Sequence, residues 1–429
     1  MLRLIFVLML VIVGTYYALQ SPFYALLFYL GNAYFRPEGW VWSTSTIVAL
    51  NLSLITGTYV CLVTFLSGSK STVDRTFLLV VFFLMHTLAS TLLSEDFDYS
   101  WYYWKSFLKT VIILYVMVIL IDDIYKLRMT MMVMVYSLIF EIKQGFVYLL
   151  LMQGVKNSNG HPVLGDDNGV ALGMLMLVPV CVVLQQTTRH KWAQWFYRLL
   201  LISALYRGIS SYSRGAFLAC IAMGIVYWLR AAHKLRVLLA MLVITAIVAP
   251  TMPEQFWNRI QTIETYEETQ EGSALGRLHF WAVALKMAEA HPVFGIGYSS
   301  YTRMYDQYDF SKGRYGKQRA VHSSWLGTLA ELGYVGAIIL ALIIFVSFWN
   351  CHVVHKFAKQ FHALSSLRLY AIALETSLVV WLVGGSFHIF QYNEFVWHYL
   401  TLTFVLRMLV RESYLSHTAL SHHESLVKA

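Results

Sequence analysis

The sequence predicts an all-α protein that crosses a membrane about twelve times. Three observations predict it. Of 429 residues, 58% are hydrophobic and 13% charged, with a mean hydropathy of +0.58. Soluble domains carry about 25% charged residues, and one aqueous core cannot bury so much apolar surface. Apolar runs near the ~20 residues that cross a bilayer recur along the chain. One long hydrophilic stretch, 252–321, interrupts them. A soluble enzyme, a disordered chain and a nucleic-acid module are excluded. Four cysteines (Cys61, Cys181, Cys220, Cys351) lie in or beside apolar runs, with neither a disulfide pattern nor metal-type spacing.

The runs fall at 4–19, 42–66, 75–93, 107–121, 129–152, 168–186, 195–211, 215–229, 234–251, 323–349, 366–386 and 394–411. The first has Arg3 and an apolar stretch but no clean small-x-small cleavage site. Residues 22–35 are apolar but short and read as a re-entrant or partial span. The net charge of +9 reflects Lys and Arg gathered in linkers. The linkers at 67–74, 187–194, 230–236 and 350–365 hold eight of them, from Lys70 to Lys359, against one acid, Asp74. By the positive-inside rule these linkers are cytoplasmic. The acidic linker 94–106, with Glu95, Asp96 and Asp98, then lies outside, as does the loop 252–321. The expected organisation is N-terminal spans over 1–251, the large outer loop at 252–321, C-terminal spans over 322–411 and a cytoplasmic tail at 412–429.

Within the loop, Leu275 to Ala290 reads as a helix, capped by Ser273 and closed by Pro292. Leu278, Trp281, Ala282, Leu285 and Ala288 give it an apolar side suited to a membrane surface.

The span count gathers cations on the outer face. Arg207 and Arg214 flank the turn between two spans, Arg277 opens the loop helix, and His322 stands where the chain re-enters the membrane. Charges near hydrocarbon cost at least ~2.5–3.5 kcal/mol each, so several at one depth favour an anion. The planar Arg fork matches phosphate oxygens. Arg at a helix end ordinarily snorkels to lipid headgroups. Arg214 departs from that pattern, because it sits between Ser213 and Gly215 at a helix N-terminus, itself an anion site. His322 titrates near neutral pH and lies beside the Arg-rich stretch, whereas a lone His is ordinarily structural.

At these residues the chain resembles the membrane O-antigen ligase and polymerase superfamily. The resemblance rests on Ser213-Arg214-Gly215-Ala216, on Gly276-Arg277-Leu278 with Trp281 and His291-Pro292-Val293-Phe294-Gly295-Ile296-Gly297, and on His322-Ser323-Ser324-Trp325 with Glu331-Leu332-Gly333-Tyr334-Val335-Gly336. Gly165-Asp166-Asp167-Asn168 looks like a stretch of O-glycosylation ligases in the same superfamily. The resemblance implies a GT-C-type fold and a glycosyltransferase that needs neither metal nor other cofactor. Its donor would be an undecaprenyl-diphosphate-linked glycan at the periplasmic face of the bacterial inner membrane. Its acceptor in the ligases is a sugar hydroxyl of lipid A–core. Carried over, His322 is the catalytic base, and Arg214 and Arg277 hold the diphosphate. Arg207 and Arg303 are further candidates by position, and His291 reads as a helix-end residue.

Other residues carry open readings. Glu141 and Lys143 lie inside the run 129–152, where ionisable groups are functional candidates. Lys143 would reach a lipid diphosphate; the alternative is structural pairing with another helix, for instance through Glu375. Asp166 and Asp167, with His161 nearby, suit a divalent metal less well than acceptor contacts or a cap, Asp167 capping a helix from Asn168. Trp101, Tyr102, Tyr103 and Trp104 read as an interfacial belt in an outer linker rather than a sugar platform. The superfamily's polymerases, with a growing glycan as acceptor, and its protein O-glycosylation ligases are the nearest rivals. A lipid-linked sugar flippase or transporter would predict repeated halves, and the large loop has no counterpart in the first half.

Overall fold

A computed structural model of the chain describes residues 2–37, 51–68, 75–151, 160–211, 213–231, 233–251, 257, 272–361 and 365–427. The start of the run at 42–66, Lys70 and Asp74, and loop residues 258–271 lie outside the described residues, as does the side chain of Ser273. The described residues are mostly helical: α1 (Leu2–Ala18), α2 (Pro22–Phe35), α3 (Leu52–Leu66), α4 (Leu78–Leu92), α5 (Phe97–Leu120), α6 (Ile124–Ser137), α7 (Ile139–Leu150), α8 (Asp167–Thr187), α9 (Lys191–Ile209), α10 (Arg214–Arg230), α11 (Lys234–Val248), α12 (Gly272–Ala290), α13 (Tyr301–Tyr308), α14 (Ser324–Gln360), α15 (Ser365–Gly384) and α16 (Glu394–Val427).

Among the described residues, five helical stretches are long and apolar enough to cross a membrane: Arg75–Leu92, α5, α8, α14 and α15. Counting α6 and α7 as one bent span makes six, and Arg3–Ala18 and α3 are shorter apolar helices. The chain is therefore an all-helical, multi-pass membrane protein. The central helix is α8, buried along most of its length against α9, α10 and α15. The main core joins α2, α5, α8, α15 and α16.

Several local expectations change. The run at 129–152 is not continuous: α6 and α7 meet at Leu138 with a 55° bend. Ser137 Oγ donates back to Val133 O at 2.7 Å there, a local bond that competes with the helix ladder. The linker 94–106 is mostly helix, because Asp96 caps α5 by accepting from Tyr99 N at 3.3 Å. Its aromatics divide: Trp104 is buried and donates to Thr87 Oγ1, whereas Tyr102 is exposed. The cap of α8 is Asp166 rather than Asp167, one residue earlier than expected. Residues 350–360 prolong α14, and α16 continues past 411 to Val427. The short α2, capped by Ser21 with Pro22 in its first turn, is buried on much of its surface.

The loop helix is α12, and its apolar residues divide between two sides. Leu278 and Leu285 are exposed, whereas Phe280, Val283, Ala284 and Met287 are buried. These residues form a second, smaller core with Ile296, Tyr301 and Tyr305. Thus α12 packs on α14 and α13 through one side and leaves Leu278 and Leu285 outward on another.

One break in the backbone organises this region. At Gly333 the chain turns to φ 66° within α14, which frees carbonyls in the preceding turn. Ile296 N donates to Ala330 O at 3.0 Å, Ser90 Oγ to Glu331 O at 2.8 Å, and His86 Nε2 bonds Leu332 O at 2.8 Å. Tyr334 N donates to Pro292 O at 2.8 Å. The segment Pro292–Gly297 is thus the plug that satisfies a broken span, and such breaks are tolerated only where protein covers them.

Candidate active site

The N-terminal ends of α8, α10 and α14 meet at one end of the bundle, closed by the loop 385–393 between α15 and α16. Each side chain there is placed by a local device. Ser213 caps α10, accepting from Ala216 N at 3.4 Å, which sets Arg214 at the first helical position. A Cβ on Gly215 would fall 2.8 Å from Phe387 Cβ, so the start of α10 lies directly against the 385–393 loop.

His322 immediately precedes the cap of α14. Ser323 accepts from Leu326 N at 3.4 Å, and Val321 O accepts from Trp281 Nε1 at 3.1 Å. Between these anchors His322 is held at φ 49°, a left-handed conformation that non-glycine residues rarely adopt. Its ring lies 6.5 Å from that of Phe280. Burial lowers the basicity of its imidazole, the Arg277 charge lowers it further, and Asp166 opposes them. His322 is therefore a weaker base than an ordinary histidine, with the Arg277 and Arg319 cations and the Asp166 carboxylate all acting on it.

Ser324 locks the facing loop. Its N–H donates to Gly385 O at 2.7 Å, its hydroxyl donates to His388 O at 2.8 Å, and the same hydroxyl accepts from Phe390 N at 2.9 Å. Trp325 Nε1 donates to Ser386 Oγ at 3.0 Å. Asn393 Nδ2 donates to Val163 O at 2.6 Å, tying this loop to the segment before α8. His388 thereby comes within 3.7 Å of Asp166 Oδ1. Burial lowers the basicity of His388, with His322 and Arg277 adding to the effect and Asp166 opposing it. His322, His388, Asp166 and Arg277 thus form one electrostatic cluster, and Arg319 also acts on His322.

The other sequence-predicted residues distribute differently. Asp167 acts on a separate buried pair, Arg207 Nη2 and Glu141 Oε2, 3.3 Å apart. Arg207 is fully buried there. Arg303 is bonded to Asp96 at 3.1 Å and lies over the Tyr99 ring. Lys143 is exposed. Glu375, a proposed partner for that region, instead bonds Arg230 and His355. His161 has its Nδ1 turned to the N–H groups of Val163 and Leu164, and burial holds its pKa at about 4. His291 bonds Tyr308 Oη at 2.9 Å. His388 escaped the sequence reading; the signal available was the Gly384-Gly385-Ser386 break between two apolar runs.

Ile209 and Phe217, on either side of the turn before Arg214, open onto an apolar groove of about 990 Å³ that follows α10 to Arg230.

Residues 199–341, a third of the chain, match the family model described as O-antigen ligase, and the match supports membership of that family. It spans Arg214, Arg277 and His322 but ends before His388. No curated protein matches the chain.

Proposed function

We propose, with the O-antigen ligase match over residues 199–341 as premise, that this chain is a ligase of lipopolysaccharide biosynthesis with a GT-C-type fold of about twelve spans. It transfers a glycan from undecaprenyl diphosphate to a sugar hydroxyl of lipid A–core. It sits in the bacterial inner membrane with its site facing the periplasm. The observation that carries this reading is that Arg277 and Asp166 act on His322 at one end of the bundle, with Trp281 bonded to the residue before it.

The chemistry follows from those groups. The neutral imidazole of His322 takes the proton from the acceptor hydroxyl. The freed oxygen attacks the anomeric carbon opposite the diphosphate, the bond to the diphosphate oxygen breaks, and the electron pair leaves on the diphosphate, inverting the configuration. Arg214 and Arg277 stabilise that charge without a metal. Lys143, exposed on α7, is a further diphosphate contact. Arg207 and Arg303 already face carboxylates, so they act in second place. The groove along α10 suits a polyprenyl chain.

The test is transfer by the purified protein from lipid-linked glycan in excess EDTA. Lipid A–core, lipid-linked glycan and a Ser/Thr peptide are supplied as separate acceptors. Transfer to lipid A–core alone supports the reading. Transfer to glycan or to peptide assigns a polymerase or a protein O-glycosylation ligase instead. Loss of transfer in EDTA, restored by Mn or Mg, removes the metal-free mechanism.

A further inference from the structure

Resting on that reading of the donor side, we propose that Asp166 and His388 form a hydroxyl clamp that binds the acceptor sugar beside His322.

The pair has the geometry for it. His388 Nε2 and Asp166 Oδ1 stand 3.7 Å apart, beyond a direct hydrogen bond. A hydroxyl oxygen at about 2.8 Å from each atom completes a triangle, accepting from the imidazole N–H and donating to the carboxylate. The Asp166 side chain is 57% exposed although its Oδ1 caps α8, so an incoming group can reach it. His388 is held firmly. Its carbonyl and the N–H two residues later both bond Ser324 Oγ. Its ring rests on the first turn of α8, where a Cβ on Gly169 would fall 2.9 Å from Nε2. Because Ser324 lies two residues after His322, the same short segment sets the base and the clamp at a fixed separation.

Charge divides the two substrates. The donor carries a diphosphate, which the arginines attract and a carboxylate repels. A neutral, hydroxyl-rich acceptor is the ligand that an exposed carboxylate and a partly exposed imidazole recognise. Burial disfavours the charged form of His388. The discrimination lies at Asp166: a sugar hydroxyl has a proton to donate to the carboxylate, and an ionised phosphate oxygen has none.

The test uses the full-length protein with Asp166→Asn and His388→Gln. Asn still caps a helix, so Asp166→Asn keeps the start of α8. Three quantities are read: the Kd for the lipid-linked donor, the KM for lipid A–core, and the Kd of free core oligosaccharide for donor-loaded protein. The clamp predicts that KM and oligosaccharide Kd rise at least about tenfold in Asp166→Asn, the size of one hydrogen bond to a charged group, and at least about threefold in His388→Gln, the size of a neutral one. The donor Kd stays within about twofold, the scale of no lost contact. Unchanged acceptor binding in both variants overturns the clamp, as does a weakened donor Kd. If wild type neither binds core nor transfers to it, the lipid A–core reading falls and takes this acceptor with it. The KM comparison is then made with whichever hydroxyl acceptor wild type uses, and a flat result there overturns the clamp separately.

Discussion

The indole Nε1 of Trp281 donates to the carbonyl of Val321 at 3.1 Å, and this bond joins the loop helix α12 to the residue before His322. Trp281 lies one turn after Arg277, so one helix both charges the surroundings of His322 and holds its backbone. The bond is worth about 0.5–1.5 kcal/mol to the fold, but a misplaced catalytic group costs far more in rate. Trp281→Phe keeps the ring and removes the donor. It is expected to lower kcat about tenfold to a hundredfold with donor Kd unchanged. Unaltered turnover would dissociate this bond from His322.

Burial first, then the Arg277 charge, holds His322 below the ordinary histidine value of 6.5. A base works only when neutral, so activity rises with pH through the His322 value, and the midpoint of that limb lies under 6.5. Arg277→Gln removes a neighbouring cation and is expected to move the midpoint upward while weakening donor binding. A midpoint that stays or moves downward contradicts the electrostatic arrangement. Activity that rises toward acid instead would make His322 a cationic diphosphate contact.

Gly333 turns α14 at φ 66°, and a Cβ there would lie 2.6 Å from Pro292 O. Gly333→Ala meets both the backbone strain, of order 1–3 kcal/mol, and that carbonyl. A lowered midpoint of thermal unfolding in detergent is the expected outcome. The same holds for Gly297→Ala, at φ 118° against Ser94. Wild-type stability in both would mean that the plug is not rigid.

Asp309 lies under the loop helix, 2.7 Å from His279 Nε2. Burial alone would raise its carboxyl, but bonds from Ser311, Gly313 and His279 outweigh that and hold it at about 2. A depressed acid contributes stability in full above its ordinary value of 3.8, lost as pH falls toward 2. Hydrogen-exchange protection in α12 and α13, taken relative to the intrinsic rate at each pH, should therefore fall as pH drops through this window in wild type. In Asp309→Asn the protection should be lower and flat over the same range. Equal slopes in the two proteins would remove Asp309 from the support of α12.

Much of this arrangement was legible in the sequence. The apolar runs mark where helices form, because hydrophobic length needs no partner to be read. Arg214 and His322 stand at helix entrances, where local spacing shows them, whereas Arg277 lies in the second turn of α12, which begins at Gly272. What escaped depends on partners distant in the chain. Arg207 is bonded to Glu141, 66 residues away, and sequence spacing shows only that each faces some side of a helix. The packed side of α12, Phe280, Val283, Ala284 and Met287, escaped the sequence, because a helix with apolar residues on several sides gives no unique periodicity. The glycines of Gly295-Ile296-Gly297 matter through carbonyls that Gly333 frees in another helix. His388 comes to Asp166 only when Ser324 closes the loop between α15 and α16.

The central claim is that His322 takes the acceptor proton while the arginines hold the donor. The most direct measurement is donor Kd and single-turnover transfer for His322→Ala, with wild type and Arg277→Ala alongside. The account predicts that His322→Ala binds lipid-linked glycan as wild type does and transfers about 10²–10⁴-fold more slowly. Arg277→Ala should lose donor binding. Transfer by His322→Ala at the wild-type rate, or loss of its donor binding with turnover preserved at saturation, contradicts the claim.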